Sequence, residues 1–288
     1  MIGAELRDRT GLGFGELPLA DGWVQRAVRT RMEWTGIANE ADYARLALGD
    51  DTEFGRLVNQ VMPSVSARFF RYTEPWRAFA KLIREQLLPN FGGEGLRILS
   101  LPCSTGEEAY SIAISLLAAG FPPDGFKVDA VDVKSDRIRA AVENGYARER
   151  LEEVSPDLLT RFFVRDGEKF RVQAEAVDRV NFRADSVTRP GCLPDRPTYH
   201  VIFCQNLLIY LSAAAREVAK EHFKKAARPG CLFFVGIDAS LWPELEIGNP
   251  YPWIGALRPP QGAGNRIADG VQKGIQGSIS PGSCAAVG

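Results

Sequence analysis

The feature that most constrains the fold is a regular alternation of short apolar segments with amphipathic segments over residues 96–236. The apolar segments are rich in Val, Ile, Leu and Phe, and apolar residues recur at helical spacing between them. Strands that alternate with helices form a parallel sheet with helices on its faces. We therefore predict a doubly wound α/β domain. The predicted strands are 96–101, 126–132, 180–182, 200–204 and 231–236, and the predicted helices are 106–119, 135–145 and 212–227.

The chain before this alternation is predicted to be helical. Apolar residues from Phe54 to Met62 recur at helical spacing, and a capping residue followed by Pro75 marks the start of a further helix over 76–88. Composition sets the C-terminal tail apart, because residues after Pro259 are rich in Gly, Ser and Pro. The predicted organisation is a helical N-terminal domain and linker (1–75), an α/β domain (76–258) with a small inserted β-subdomain (about 150–180), and a disordered tail (259–288).

Composition argues against several classes of partner. The chain has 35 Lys+Arg and 36 Asp+Glu, so it lacks the surplus positive charge that nucleic-acid binding requires. The cysteines are scattered without a CxxC pair and the chain has only two histidines, so we expect no metal site. No signal-peptide pattern and no long apolar segment is visible, which predicts a cytoplasmic protein without stable membrane insertion.

The first strand–helix junction is a candidate cofactor site. Residues 99–111 read LSLPCSTGEEAYS and lie where open α/β sheets bind ligands. Small residues at Cys103, Ser104 and Gly106 would let the backbone approach a bound molecule, and Glu108 could accept a hydrogen bond from an ammonium group. The alternative is a simple helix cap in which the acids only complement the helix dipole. These residues alone leave both interpretations open.

Asp132 ends the second predicted strand, where α/β nucleotide sites keep an acid for ribose hydroxyls. This position favours an adenosine cofactor, although a carboxylate that only caps the helix after Ser135 would look the same. NAD is disfavoured because the first turn lacks GxGxxG. Residues 11–15 have a similar glycine spacing, but they follow no predicted strand and are given no role.

Two more clusters carry polar residues. Residues 203–211 (FCQNLLIYL) leave a later strand and face the same crevice, so Asn206 and Tyr210 are candidate contacts to cofactor or substrate. Residues 64–71 (SVSARFFR) join the helical part to the α/β domain, and such joints often bind ligands. Arg71 has the planar donor set that holds a carboxylate, although a lone arginine is more often a surface residue.

The four clusters, in this order, resemble the chemotaxis-receptor glutamate methyltransferases, the CheR family, over about residues 15–240. The resemblance implies a class I methyltransferase-like α/β fold with a helical N-terminal domain and an inserted β-subdomain. It implies S-adenosyl-L-methionine as cofactor and S-adenosyl-L-homocysteine as product. The implied activity is methyl transfer to glutamate carboxylates in the cytoplasmic helical region of a chemoreceptor-like protein, by an enzyme that we expect to be a monomer.

The resemblance also implies the site residues. Arg71 and Tyr210 would stand beside the transferred methyl group as the catalytic residues. No metal is implied. The implied cofactor-binding residues are Ala67, Arg71, Cys103, Glu108, Asp132, Asp185, Ser186, Cys204, Gln205 and Asn206.

The chain departs from the family pattern at three places, so it would be a divergent member. Val65-Ser66-Ala67 stands where the family usually has Asn-x-Thr, Gln205 stands where it has arginine, and residues 236–240 read GIDAS where it has GHSE. These changes affect the expected substrate more than the fold and cofactor. The alternatives are therefore a methyltransferase of this fold acting on a small molecule or another protein, and a non-catalytic cofactor-binding signalling module.

Overall fold

The computed structural model describes residues 2–13, 20–61, 67–89, 95–247 and 254–257. Helices and strands alternate along most of this chain. The α-helices are α1 (Ile2–Thr10), α2 (Ala20–Thr35), α3 (Glu40–Gly49), α4 (Asp51–Val61), α5 (Thr73–Leu82), α6 (Glu107–Ala118), α7 (Ser135–Glu143), α8 (Pro156–Phe162), α9 (Ala174–Val177) and α10 (Ala213–Ala226). The strands are β1 (Leu96–Ser100), β2 (Phe126–Asp132), β3 (Phe163–Asp166), β4 (Lys169–Val172), β5 (Val180–Ala184), β6 (Tyr199–Phe203), β7 (Ala227–Phe234), β8 (Leu245–Ile247) and β9 (Ile254–Leu257).

The main sheet of the described chain has the strand order β5-β2-β1-β6-β7-β9-β8. The first five strands in this order are parallel, and β9 runs antiparallel to both β7 and β8. The predicted doubly wound, mostly parallel α/β fold is therefore confirmed. The strand order reverses at β1, because β2 lies on one side of it and β6 on the other. Such a reversal opens a crevice at the carboxyl ends of the strands, where ligands of this fold class bind.

The central strands β1 and β6 are buried on both faces, which explains their continuous apolar sequences. Neighbouring residues of β6 point to opposite sides, so that Phe203 joins one hydrophobic cluster and Ile202 the other. Phe203 stacks on Phe234 of β7 at 4.3 Å between ring centroids, and Phe79 of α5 meets both rings edge-on. These contacts anchor α5 to the sheet and thereby fix the start of α5 near the crevice.

The predicted inserted β-subdomain is present as a small hairpin. β3 and β4 pair antiparallel, and α8 precedes them directly. The hairpin is attached to the main domain where Tyr146 exchanges two backbone hydrogen bonds with Phe170, at 2.8 and 2.9 Å.

The helices α1 to α4 have a hydrophobic cluster of their own around Leu6, Tyr43 and Leu57. A buried ion pair also joins α2, α3 and α4. Arg31 donates to both oxygens of the Glu53 carboxylate, at 2.9 and 2.8 Å, and Tyr43 donates to the same group at 3.2 Å. Burial works to raise the pKa of Glu53, but the bonds from Arg31 and Tyr43 outweigh it and keep that pKa below its usual value.

The segment after α1 pairs with the α/β domain. Gly13 donates its backbone N–H to the Tyr210 carbonyl at 2.7 Å, and Ser212 donates to the Gly11 carbonyl at 3.0 Å. A Cβ on Gly13 would lie 2.9 Å from the Ser212 nitrogen, so this approach needs glycine. The sequence interpretation gave these glycines no role, and the structure shows that they permit close docking.

Several elements differ from the sequence predictions. The strands β8 and β9 were not predicted, because each has only three or four residues and their neighbours are glycine and proline. Strand β7 begins at Ala227, four residues earlier than expected, and passes through Pro229. The helix predicted over 76–88 ends as a π-helical turn, Ile83–Leu87. The predicted tail 259–288 lies outside the described residues, and the domain boundaries remain predictions.

Candidate cofactor and substrate site

A cavity of about 330 Å³ lies at the carboxyl ends of β1, β2 and β6, within the size range of small-molecule sites. Its wall includes residues from every cluster identified in the sequence. The helical N-terminal part contributes Thr10 and Leu12. The remaining wall residues are Ala67, Arg68, Arg71, Tyr72, Trp76, Leu101, Pro102, Cys103, Ser104, Glu108, Asp132, Val133, Lys134, Arg137, Asp185, Ser186, Val187, Gln205, Asn206, Leu207, Ile209, Tyr210 and Leu211.

The turn between β1 and α6 is tied to Asp132. The Ser104 N–H donates to one carboxylate oxygen at 2.8 Å, and the Lys134 N–H donates to the other at 2.9 Å. Burial raises the pKa of Asp132, and these hydrogen bonds work against that rise. Each oxygen keeps a second acceptor site, so the carboxylate can also receive two ribose hydroxyls.

Glu108 lies in the first turn of α6 and faces the end of β1. Its carboxylate accepts a hydrogen bond from the fully buried Ser100 hydroxyl at 2.7 Å. Burial raises the pKa of Glu108 to about 7, and the Ser100 bond limits the rise. A partly buried carboxylate with one neutral partner suits a ligand ammonium group.

The side-chain cap expected by the alternative interpretation is absent, although Glu107 and Glu108 do lie in the first turn of α6, where acids complement the helix dipole. Gly106 occupies the position before α6, with φ of 93°, and no side chain caps the helix there. A Cβ on Gly106 would lie 3.0 Å from Ala141 Cβ and from the Tyr146 hydroxyl. Gly106 therefore allows close packing of neighbouring protein side chains. The sequence interpretation expected it instead to leave space for a bound molecule.

The segment 67–71 is held on α6 by two residues that sequence reasoning did not assign. Arg150 donates to the Ala67 carbonyl and lies 3.4 Å from the buried Glu107 carboxylate. Ser111 accepts a hydrogen bond from the Phe70 N–H at 3.0 Å. Ser111 belongs to the motif after β1, which could have suggested a role, but nothing in the sequence connects Arg150 with Ala67.

Three wall residues other than glycine adopt left-handed backbone conformations: Tyr72, Ser104 and Asn206, with φ of 61°, 51° and 57°. Asparagine adopts this conformation readily, but tyrosine rarely does. Such residues concentrate at functional sites, where the surrounding structure compensates for the strain. Their grouping around one cavity supports its assignment as the functional site.

Tyr210 and the Asp185–Ser186 segment close the cavity on the side of the N-terminal part. Tyr210 packs partly against the cluster of α1 to α4, and its carbonyl accepts the Gly13 N–H. The Ser186 hydroxyl donates to the Thr10 carbonyl at 3.3 Å. Burial works to raise the pKa of Asp185, but bonds from Arg189 and Ser186 outweigh it and lower that pKa, so the carboxylate stays ionised and is already paired with Arg189.

Four cationic side chains belong to the wall, and three of them have protein partners. Arg68 pairs with Glu152 at 3.0 Å, and Arg137 donates to the Ser104 hydroxyl at 3.2 Å. Lys134 is 3% exposed and donates to the Asn59 carbonyl of α4 at 2.9 Å. Burial lowers the pKa of Lys134 to about 8.

Arg71 differs from these three cations. Its carbonyl accepts a hydrogen bond from the Trp76 indole at 2.9 Å, so its backbone is fixed. Its guanidinium has no ion pair or hydrogen bond with any other described residue, and lies 4.6 Å from the centroid of the Tyr72 ring.

The structure brings together all but one of the residues predicted for the site. Cys204 is the exception, because its side chain is fully buried in the hydrophobic cluster under β6 and β7 and does not reach the cavity. Gln205 and Asn206, which follow it, belong to the wall. Cys103 is almost fully buried, and burial raises the pKa of its thiol well above the usual value, so it remains neutral.

No cluster of three or more potential metal ligands occurs among the described residues. Within the same part of the chain, none of the helices has the length and apolar character needed to cross a membrane.

The strand order and the cavity at the carboxyl ends of the strands identify the fold as that of a class I methyltransferase. Its cofactor is S-adenosylmethionine, and the predicted cofactor-binding acids Glu108 and Asp132 both belong to the wall of the cavity. The chain belongs to the CheR methyltransferase family, whose model, described as "CheR methyltransferase, SAM binding domain", matches residues 66–245.

Several curated relatives resemble the chain. It is 33% identical over 281 residues to a probable biofilm formation methyltransferase WspC of Pseudomonas aeruginosa, covering 95% of this chain and 66% of the relative. Identity to the Pseudomonas putida protein of the same name is 32%, and the match covers 80% of this chain and 54% of the relative. Identity to chemotaxis protein methyltransferase 2 of P. aeruginosa is 34%, and the match covers 62% of this chain and 64% of the relative. The chain thus spans less than two thirds of the length of each.

Proposed function

We propose that the chain transfers the methyl group of S-adenosylmethionine to glutamate side-chain carboxylates of chemoreceptor-type signalling proteins. The observation that carries this proposal is the guanidinium of Arg71. Among the cationic groups of the wall, this guanidinium has neither a hydrogen bond nor an ion pair with another described residue. A planar guanidinium that has no anionic partner, in the same cavity wall as Glu108 and Asp132, suits an incoming carboxylate.

The bound cofactor supplies an electrophilic methyl group on a positively charged sulfur. The protein residues then need only to position the acceptor, since a glutamate side chain is already ionised at neutral pH. Arg71 binds the acceptor carboxylate, and Tyr210 borders the reacting atoms from the other wall. The apolar residues Leu101, Trp76 and Leu207 reduce access of water, which strengthens attack by the carboxylate.

The names of the relatives support the choice of substrate. Relatives from Pseudomonas, Listeria and Salmonella carry the name chemotaxis protein methyltransferase, and their identity to this chain lies between 26% and 34%. Two relatives, whose matches cover 95% and 80% of this chain, are named for biofilm formation. We therefore expect the acceptor to be a chemoreceptor-like protein.

The test is transfer of labelled methyl groups from S-adenosylmethionine to membranes that carry chemoreceptors, scored as base-labile radioactivity. Arg71→Ala should lower kcat/KM about 10- to 100-fold, which is the effect of losing a hydrogen bond to a charged group. Binding of S-adenosylhomocysteine should change less than about threefold. Base-stable labelling would indicate another acceptor, and normal turnover by Arg71→Ala would remove Arg71 from this role.

Arg68→Ala is the matched control. Arg68 lies in the same segment and also belongs to the wall, but its charge is already paired with Glu152. We therefore expect its loss to have a much smaller effect on turnover than the loss of Arg71.

A further inference from the structure

Arg71 is flanked by two residues in left-handed conformations, Phe70 with φ of 55° and Tyr72 with φ of 61°. For bulky side chains this conformation is unfavourable, and glycine or asparagine adopts it at lower cost. A tyrosine at such a position therefore needs an explanation in the contacts that it makes.

Packing accounts for Phe70. Its side chain is 8% exposed, its ring meets Trp76 edge-on at 5.4 Å, and its N–H donates to Ser111. The fold therefore uses Phe70 as a core residue.

Packing does not account for Tyr72. Its side chain is 53% exposed, and it precedes α5 without capping that helix by a side-chain hydrogen bond. Across the described residues its hydroxyl has no hydrogen-bond partner. Its distinctive contact is the Arg71 guanidinium, 4.6 Å from the ring centroid, at the wall of the cavity.

We propose that Tyr72 is a positioning residue for Arg71, whose aromatic ring holds the guanidinium at the cavity wall ready for the acceptor carboxylate. The inference rests on the function proposed above. The Trp76 indole already fixes the Arg71 carbonyl, so the remaining freedom lies in the long arginine side chain. A cation–π contact restricts that side chain without neutralising its charge, whereas an anionic partner would compete with the acceptor. Ordering the arginine beforehand lowers the entropy cost of binding the acceptor.

Two substitutions separate the ring from the backbone conformation. Tyr72→Asn removes the ring but tolerates the left-handed conformation, so the fold should be retained and the midpoint of thermal unfolding should not fall. Tyr72→Phe keeps the ring and removes only the hydroxyl. In the membrane methylation assay, Tyr72→Asn should lower kcat/KM for the receptor about fivefold, as expected for an exposed cation–π contact. Tyr72→Phe should recover most of this loss.

Trp34→Asn is the matched control. Trp34 is 79% exposed and lies 6.0 Å from the Arg31 guanidinium, but it does not belong to the cavity wall. It tests whether the loss of any exposed aromatic side chain beside an arginine would have the same effect. We expect no fivefold loss from this substitution.

A double-mutant cycle distinguishes positioning from a general structural role. When Arg71 is already alanine, Tyr72→Asn should have no further effect on turnover, because the ring then has no guanidinium to hold. An equal fivefold loss in that background, or full activity of Tyr72→Asn alone, would overturn the inference. Affinity for S-adenosylhomocysteine should stay within about twofold when Tyr72 alone is substituted, and a larger loss would place Tyr72 among the cofactor contacts instead. A wild-type chain that transfers no methyl group to receptors would refute the proposed function and this inference together.

Discussion

Binding of S-adenosylhomocysteine should weaken as the pH falls through neutrality, because Glu108 has a pKa of about 7. A carboxylate whose pKa is raised loses its charge below that value, and with it the attraction for the ligand ammonium group. The ionised fraction of Glu108 is about 0.76 at pH 7.5 and about 0.09 at pH 6, from its pKa of about 7. If only the ionised form binds, the affinity should fall about eightfold over this interval, or about 1.2 kcal/mol.

Calorimetric titrations between pH 6 and pH 7.5 would measure the effect. This interval stays below the pKa of an α-amino group, about 8, so most of the ligand is an ammonium ion at every pH used. The control is Glu108→Gln, which should bind more weakly but with little dependence on pH. Ser100→Ala should shift the profile to higher pH, because the Ser100 hydroxyl lowers the pKa of Glu108. A pH-independent wild type, or the same eightfold change in Glu108→Gln, would refute this role.

Two further predictions concern stability and can be checked by urea denaturation. Arg31→Met should lower the free energy of unfolding by about 3 kcal/mol, because it leaves the buried Glu53 carboxylate without its bidentate partner; a loss below about 1 kcal/mol would contradict this. Gly106→Ala should lower the free energy of unfolding more than Gly120→Ala does. Both glycines have φ near 90°, but only at Gly106 would the new Cβ meet atoms such as Ala141 Cβ, at 3.0 Å. Equal losses in the two variants would show that packing at Gly106 contributes nothing.

The sequence was sufficient to predict the parallel sheet and the acids at its edge. Hydrophobic patterns identify buried strands directly, and the position of Asp132 at the end of β2 follows from the strand–helix alternation. The strands β8 and β9 were not predictable, because strands of three and four residues are too short to show a hydrophobic pattern. Contacts distant in sequence were also missed, such as the bond from Arg150 to Ala67, since local patterns hold no information about them.

The predicted contact at Cys204 shows a further limit of sequence reasoning. A residue that follows a strand can point into the crevice or into the core, and the register of β6 directs this side chain into the core. The neighbouring Gln205 reaches the cavity instead.

The docking of Gly11 and Gly13 beside Tyr210 has a consequence for protein engineering. The family segment 66–245 does not include Thr10 and Leu12, which supply part of the cavity wall. A gene fragment trimmed to that segment would therefore encode a sheet whose pocket is open on one side. Chimeras that exchange N-terminal helices between relatives would have to keep the two glycines of the N-terminal segment together with the backbone groups near Tyr210 that they contact.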